Sequence, residues 1–376
     1  MNVSIIGTHG IPARHGGFET FAEHLAQACA KAGIKVKVIN QKNNPVLPCP
    51  ENVEIVTSSH KKSSSPLKFY YDSLKLAAPD SDIILSCGVG GAFFYSGISM
   101  FPVKIVTHLD GLEHKRKKYS YLQRFIIYLL QNIATKKSEI LIADSQEVWG
   151  YWKKRFPRHT KKIKVISYGA DDCMLFSPKV LSDYRLKKDE YFLVIARLVP
   201  ENNLEAVINS FNHYIGRKKL VIIGALDNTS YVKRLKKIAS ENVKFMGAIY
   251  DVNILDSLRQ GCFIYIHGHS VGGTNPSLLE AMAAGCACLC HNNVFNVEVT
   301  EGKQIYFNST YDLSILLNLL EHKSNDIEAL KIKSLERVQQ EYKWDRICSS
   351  YIELFKRLHS TKERRSVSEK NRNGNI

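Results

Sequence analysis

The chain has 376 residues, 44% hydrophobic and 23% charged. That suits about two globular domains and excludes a mainly disordered or mainly membrane-spanning chain. Lys and Arg outnumber Asp and Glu by 52 to 36, a net charge of +16, so an anionic partner is expected: nucleic acid, an acidic membrane face or a phosphorylated substrate. Nine cysteines form no CxxC pair and MNVSIIGTHG does not read as a secretory signal, which together predict a reducing cytoplasm.

Val3–Ile6 reads as a buried first strand. The loop GTHGIPARHGG follows, then a helix in which Phe18, Phe21, Ala22, Leu25 and Cys29 recur at helical spacing. Gly33 ends it, and IKVKVI, residues 34–39, alternates as a second strand. This βαβ opening predicts a parallel α/β sheet. The loop lacks the GxGxxG fingerprint and Asn40 stands where a nicotinamide enzyme carries an acid. Gly16-Gly17 directly before the helix still lets backbone approach a diphosphate, although a tight turn explains the pair equally well.

Further strands are predicted at 53–57, 83–87, 103–108 and 140–143, with loops at 43–50 and 63–66. YLQRFIIYLLQNIA, residues 121–134, is the most apolar helical segment and is too short to span a bilayer. It is expected to be a buried helix, with an interfacial helix as the alternative. A second α/β series begins at Tyr191: strand YFLVIAR, helix 203–214, strand KLVIIG, helix 230–240 and strand VKFMG. Two such halves are expected to face across a cleft, with ligands at the carboxyl ends of the strands. The tail from His359 is polar and charged and is expected to be disordered.

Residues 262–285, CFIYIHGHSVGGTNPSLLEAMAAG, read as a strand, a glycine-rich loop and a helix start. Asn275 is a plausible N-cap, Pro276 the first helical residue and Gly285 the stop. A helix N-terminus behind such a loop suits a phosphate. Glu280, one turn deeper, suits sugar hydroxyls instead. Cys286, Cys288 and Cys290 alternate on one face of the next strand and read as buried apolar residues rather than metal ligands. Arg197 closes an apolar strand and is expected either to reach into the cleft or to form a rim salt bridge. His108, Asp110 and Glu113 cluster in THLDGLEHKRKK, before a basic run. The HxD pair lacks a third metal ligand in view, and a solvated charged loop is the plainer reading.

The run GGTNPSLLEAMAAG resembles the donor-binding loop and helix of GT-B glycosyltransferases of family 4, and PARHGGFE resembles the N-terminal glycine loop of the same family. RLVPENN resembles the family's loop for the donor diphosphate, and HGHSVGGTNPSLLEAMA and DGLE are similar to a narrower subgroup, the rhamnosyltransferases of bacterial capsule and O-antigen synthesis. The resemblance reaches from the first residues to about Leu358. It implies an α/β fold of two Rossmann-like parallel-sheet domains: an acceptor-side domain over 1–168, joined by a crossover helix at 343–358, and a nucleotide-sugar domain over 169–342, leaving 359–376 as the tail.

The same resemblance implies a donor site at Gly16, Gly17, Arg197, Asn202, Thr274, Asn275, Ser277, Leu278 and Glu280. His108 is expected to approach the donor, so Arg197, His108 and Asp110 form the expected catalytic set. Glu113, Lys115 and Arg116 are expected on the acceptor side. Two positions depart from the pattern: Gly272 stands where the family has a first glutamate, and Asn202 where it has a lysine. The implied activity is retaining transfer of L-rhamnose from dTDP-L-rhamnose to a lipid-diphosphate-linked oligosaccharide, with no cofactor and no metal. UDP-hexose is the alternative donor. A nucleotide-sugar epimerase and a non-enzymatic binder of anionic polymer are the alternative activities. Nucleic acid is not expected as a partner, because no helix-turn-helix, zinc-finger or RNP pattern is present. The charge and the absence of a long apolar stretch predict a cytoplasmic protein held peripherally at the inner membrane by electrostatics.

Overall fold

A computed structural model describes the chain except at residues 14–15, 46–49, 117–118 and 374–376, and apart from the side chains of residue 324 and of residues after 360. The chain forms two compact units, Met1–Tyr168 with Trp344–Ile376, and Gly169–Lys343.

The first unit runs β1 (Asn2–Ile6), α1 (Gly17–Lys31), β2 (Lys35–Asn40), β3 (Val53–Thr57), α2 (Pro66–Ala77), β4 (Ile83–Cys87), β5 (Lys104–His108), α3 (Tyr121–Lys137), β6 (Ile140–Ala143), α4 (Gln146–Arg155) and β7 (Ile163–Val165). Its strands are parallel, in the order β3-β2-β1-β4-β5-β6-β7. Continuous apolar strands such as IILSC and ILIA are buried on both faces, as a parallel sheet covered by helices requires.

The second unit runs α5 (Pro178–Asp183), β8 (Tyr191–Ile195), α6 (Leu204–Phe211), β9 (Lys219–Ile223), α7 (Ser230–Ile238), β10 (Val243–Gly247), α8 (Val252–Gly261), β11 (Ile264–His267), α9 (Pro276–Ala283), β12 (Cys288–His291), α10 (Val294–Thr300), β13 (Ile305–Phe307), α11 (Thr310–Leu320) and α12 (Ser324–Glu341). Its parallel order is β10-β9-β8-β11-β12-β13. Phe192, Val194, Ile264, Ile266 and Leu289 fill its core. Both units are therefore doubly wound Rossmann-like α/β sheets. Each reverses direction once, between β1 and β4 and between β8 and β11. The carboxyl ends at those reversals are where such sheets take ligands.

The last helix, α13 (Trp344–Asn373), packs on α1 of the first unit. Trp344 stacks on His24 with ring centres 4.4 Å apart, and Tyr351 meets Phe21 at 5.0 Å. The tail expected to be disordered from 359 is helical up to Asn373. Lys, Glu and Arg are good helix formers, and the first breaker in the tail is Gly374. Residues 374–376 lie outside the described residues. The segment expected as a buried helix, α3, keeps most of its apolar side chains exposed.

Candidate active site

At the second unit's reversal, two loops are laced together. Asn203 donates through Nδ2 to the Gly268 carbonyl at 2.8 Å, and the Ser270 N–H and hydroxyl donate to the Glu201 carbonyl at 3.1 and 2.9 Å. Asn202 is buried and its Nδ2 donates to the Arg197 carbonyl at 2.7 Å. At the position where the family pattern has a lysine, this chain has a clasp that folds the Arg197 loop. Arg197 itself is exposed. Gly272 has φ 146°, a backbone region that side chains rarely adopt. The loop is thus not shaped for the glutamate that the family pattern places there.

Helix α9 begins as the sequence predicts. Asn275 Oδ1 accepts from the Ser277 N–H at 3.0 Å and its carbonyl from the Leu278 N–H at 3.1 Å. The N–H groups of Ser277 and Leu278, both expected in the donor site, are therefore already engaged by the cap. An anion there would meet the helix dipole; Arg197, exposed, follows β8, the strand that pairs with β11. Thr274 is buried.

Beneath α9 lies a group that the sequence reading passed over. Arg259 of α8 has a side chain only 3% exposed and pairs with Asp256 at 3.0 Å and with Glu280 Oε2. Glu280 keeps a 46% exposed side chain, so it is anchored on one oxygen and open at the surface. The only signal for Arg259 was an Asp-x-x-Arg spacing on an amphipathic helix, which solvent-exposed ion pairs share. His267 ends β11, is buried, and has no hydrogen-bond partner among the described residues on either ring nitrogen. Burial holds its pKa well below the ordinary value, and His269, stacked on it at 4.3 Å, adds to the effect.

At the first unit's reversal the loop after β1 is fastened by side chains. Glu19 Oε1 accepts from the His9 N–H at 2.7 Å, Glu23 Oε2 from the Ala13 N–H at 2.9 Å and Asn40 Oδ1 from the Ile11 N–H at 2.9 Å, while Asn40 Nδ2 donates to the Ile11 carbonyl at 2.6 Å. Asn40, noted in the sequence for what it is not, is a loop clamp. Gly16, at φ 109°, precedes α1, and any side chain there would run into the Glu19 carboxylate. Gly17 is the first residue of α1, which has no side-chain cap. Arg14 and His15 lie outside the described residues.

His108 ends β5 and is fully buried against Phe18, Phe21 and Tyr168, with ring centres at 5.0, 5.7 and 5.3 Å. Burial lowers its pKa to about 3, so it is neutral. The Asp110 N–H donates to Nδ1 at 3.3 Å, which places the ring proton on Nε2. That nitrogen has no partner among the described residues, an unsatisfied donor ready for a ligand. Asp110 is half-buried at φ 51°. Burial, then Glu113 and Asp144, push its pKa up to about 7 against the pull of Arg116 and Lys62.

Glu113 is tied to Arg116 Nε at 2.8 Å and accepts from the Tyr119 hydroxyl at 2.7 Å. Lys115 lies over the Tyr151 ring at 4.6 Å. Lys117 and Lys118 lie outside the described residues. Lys62 was invisible in its polar loop. Its ammonium donates to the Gly7 carbonyl at 2.5 Å. Burial works against its charge, but Tyr70, Glu19 and Asp110 outweigh that and hold its pKa above the ordinary value.

Among the described residues no three His, Cys, Asp or Glu side chains form a metal-binding group. Cys286, Cys288 and Cys290 are buried free thiols.

Residues 181–326 match the family of glycosyl transferases group 1, and residues 1–55 match a domain of unknown function, DUF1972. The first of these matches covers most of the second unit. A probable sucrose-phosphate synthase from Thermosipho melanesiensis is 26% identical over 294 residues, 72% of this chain and 68% of that one. A sucrose-phosphate synthase structure from Thermosynechococcus elongatus superposes with TM-score 0.81 at 17% identity, covering 96% of this chain and 99% of that one. Anabaena HepE in complex with UDP and glucose superposes with TM-score 0.74 at 16% identity, covering 94% and 99%. The fold of the whole chain is therefore GT-B. The segment matched by the group 1 glycosyl transferase family, 181–326, contains Arg197, the glycine loop and the Arg259–Glu280 pair. These relatives do not single out the rhamnosyltransferase subgroup.

Proposed function

We propose that the protein transfers a sugar from a nucleoside-diphosphate donor to a hydroxyl of a lipid-linked oligosaccharide, in bacterial O-antigen or capsule synthesis. L-rhamnose from dTDP-L-rhamnose is the proposed donor sugar. The observation that carries the transfer reading is the laced pair of loops at the second unit's reversal, the loop after β8 that carries Arg197 and the loop after β11 that leads into α9, with Glu280 of α9 held on the buried Arg259.

In the reaction the bond from the sugar's anomeric carbon to the diphosphate oxygen breaks. A bond to the acceptor oxygen forms, and the acceptor proton passes to the departing phosphate oxygen. Charge grows on that oxygen, and Arg197 with the dipole of α9 meets it. Glu280 accepts from hydroxyls of the nucleotide ribose. His108 donates from Nε2 to the donor sugar. Asp110 orients the acceptor hydroxyl, with Glu113, Lys115 and Arg116 shaping the acceptor side. The outcome proposed is retention, and no protein nucleophile takes part. Should the product be inverted, Asp110 is the base, because Glu113 is already held by Arg116 and Tyr119. No cofactor or metal is proposed. Full loss of transfer in chelator, restored by a divalent ion, would overturn this.

One specific observation favours a second donor, since HepE, whose structure this chain resembles, is in complex with UDP and glucose. A screen of dTDP-rhamnose, UDP-glucose and UDP-galactose with a lipid-diphosphate oligosaccharide decides between them, the new linkage being read by NMR. Turnover of dTDP-rhamnose alone supports the first reading. Release of an epimerised sugar without acceptor would replace transfer by epimerisation.

A further inference from the structure

Helix α3 is built inside out. Its buried residues include Gln131 and Thr135, both 0% exposed, while Leu122, Phe125, Ile126 and Leu129 are 68, 58, 46 and 44% exposed. Those four recur at i, i+3, i+4 and i+7, so they form one stripe along the helix. Tyr121 and Tyr128, 88 and 41% exposed, flank it.

The orientation is fixed by polar contacts to α4. Gln131 Oε1 accepts from Arg155 at 2.7 Å, and the Thr135 hydroxyl accepts from Trp152 Nε1 at 3.3 Å while donating to the Gln131 carbonyl at 2.8 Å. Turning the stripe inward would strand these buried groups. A Ser120–Gln123 capping box fixes where the helix starts. Beside it the helical turn Ala92–Ile98 packs on both α3 and α2, and Phe93 there is 65% exposed.

Charge singles out one occupant. Helix α3 contains no Asp or Glu. The stretch 115–162 holds 13 Lys and Arg against three acidic residues, so +10 of the chain's net +16 falls within 48 residues. Lys136, Lys137, Lys153, Lys154 and Arg158 are exposed on and beside α3 and α4. A second copy of this chain would bring the same positive surface against it. An apolar stripe flanked by tyrosines and set among lysines matches the boundary of an anionic bilayer, with acyl chains under the stripe and headgroups around the cations. No helix among the described residues is long and apolar enough to cross a membrane.

We propose that α3 lies in the plane of an anionic lipid bilayer, with Leu122, Phe125, Ile126 and Leu129 inserted among the acyl chains. This deepens the reading of a lipid-linked acceptor in the proposed function and adds insertion to the charge attraction expected from sequence. It does not depend on which sugar is transferred.

The test uses the full chain and vesicles free of any acceptor, so its failure leaves the donor chemistry untouched. The chain should float with vesicles containing 30% phosphatidylglycerol and partition at least tenfold less onto pure phosphatidylcholine. Phe125→Ser with Leu129→Ser should lower partitioning at least tenfold, with thermal unfolding and turnover on a soluble acceptor unchanged. Phe125→Trp should be quenched by brominated acyl chains. Binding that needs lipid charge but shows no quenching, and is indifferent to the serine pair, would overturn insertion. So would a dimer in light scattering that the serine pair dissolves, since a second copy would then cover the stripe.

Discussion

Helices α1 and α9 both follow a glycine loop at a sheet reversal, yet their surroundings differ in kind. Around α1 the groups that shape the loop are Glu19, Glu23, Asn40 and Lys62, and α1 has no side-chain cap. Around α9 the cap is made by Asn275 and the fixed charges are the arginines Arg197 and Arg259. An arginine does not titrate near neutral pH, whereas Asp110, in the first unit, is pushed up to about 7. At its reversal the second unit thus presents an exposed cation, Arg197, suited to a diphosphate, while Arg259 is neutralised by Asp256 and Glu280. The other unit holds a carboxyl poised to change state, suited to orienting a hydroxyl.

The largest test of this contrast is Arg259→Ala. Removing the guanidinium leaves Asp256 buried without its cation and frees Glu280 from its anchor. Loss of one partner from a buried ion pair costs about 3–5 kcal/mol. Denaturant unfolding should show a loss of this size, and donor KM should rise as Glu280 loosens. A loss below about 1 kcal/mol would place Arg259 among ordinary surface pairs.

Arg197→Ala should do the opposite, leaving stability near normal because the side chain is exposed. Its kcat should fall about a hundredfold or more, as when one preorganised donor to a developing anion is lost. Steady-state kinetics beside thermal unfolding measures both. Near-normal kcat at saturating donor would remove this loop from the active site.

Glu280→Gln should act on donor KM rather than kcat, since its bonds to a ribose are equal in ground and transition states. The expected loss is about 1–3 kcal/mol, the range of a charge-assisted hydrogen bond. A fall in kcat at unchanged KM would reassign it to the reacting centre.

The sequence made the fold legible because buried parallel strands are short apolar runs bounded by turns. Strands 53–57, 83–87 and 140–143 match the structure to the residue, whereas Ile163–Val165 is too short to show a period. Asn275, Pro276 and Gly285 announced α9 because capping is local chemistry. Apolar content misled at α3, where composition cannot say which face the rest of the fold covers. Arg259, Lys62 and Glu19 went unread for a related reason: each acquires its role from a partner brought close only by tertiary packing. For Asn202 the sequence reported a missing lysine. The clasp that replaces it depends on a carbonyl five residues back, which only the folded loop supplies.

The smallest expected effect is also the most specific to the first unit. Asp110 has its pKa raised, so in the folded chain it keeps a proton that the unfolded chain has lost at the same pH. The stability it contributes is full below about 4 and is lost as pH rises through about 7. His108 has the opposite sign. Its pKa is lowered to about 3, so its contribution is present above about 6.5 and is lost as pH falls towards 3. For catalysis only ionised Asp110 accepts strongly from an acceptor hydroxyl. The acceptor kcat/KM should therefore rise with pH and level off above about 7, while His108, already neutral, adds no inflection there. Asp110→Asn keeps the shape and one acceptor oxygen. It should flatten that inflection, remove the fall in stability between about pH 4 and 7, and cost about 1 kcal/mol in acceptor kcat/KM at pH 8, the range of a neutral hydrogen bond. A pH–rate profile beside denaturant midpoints at pH 5, 6, 7 and 8 checks both halves. An inflection near 7 that survives in Asp110→Asn would show that the titrating group lies elsewhere. The contrast between a reversal that presents an exposed arginine and one that holds a titrating carboxyl for the acceptor hydroxyl would then fail at its most exposed point.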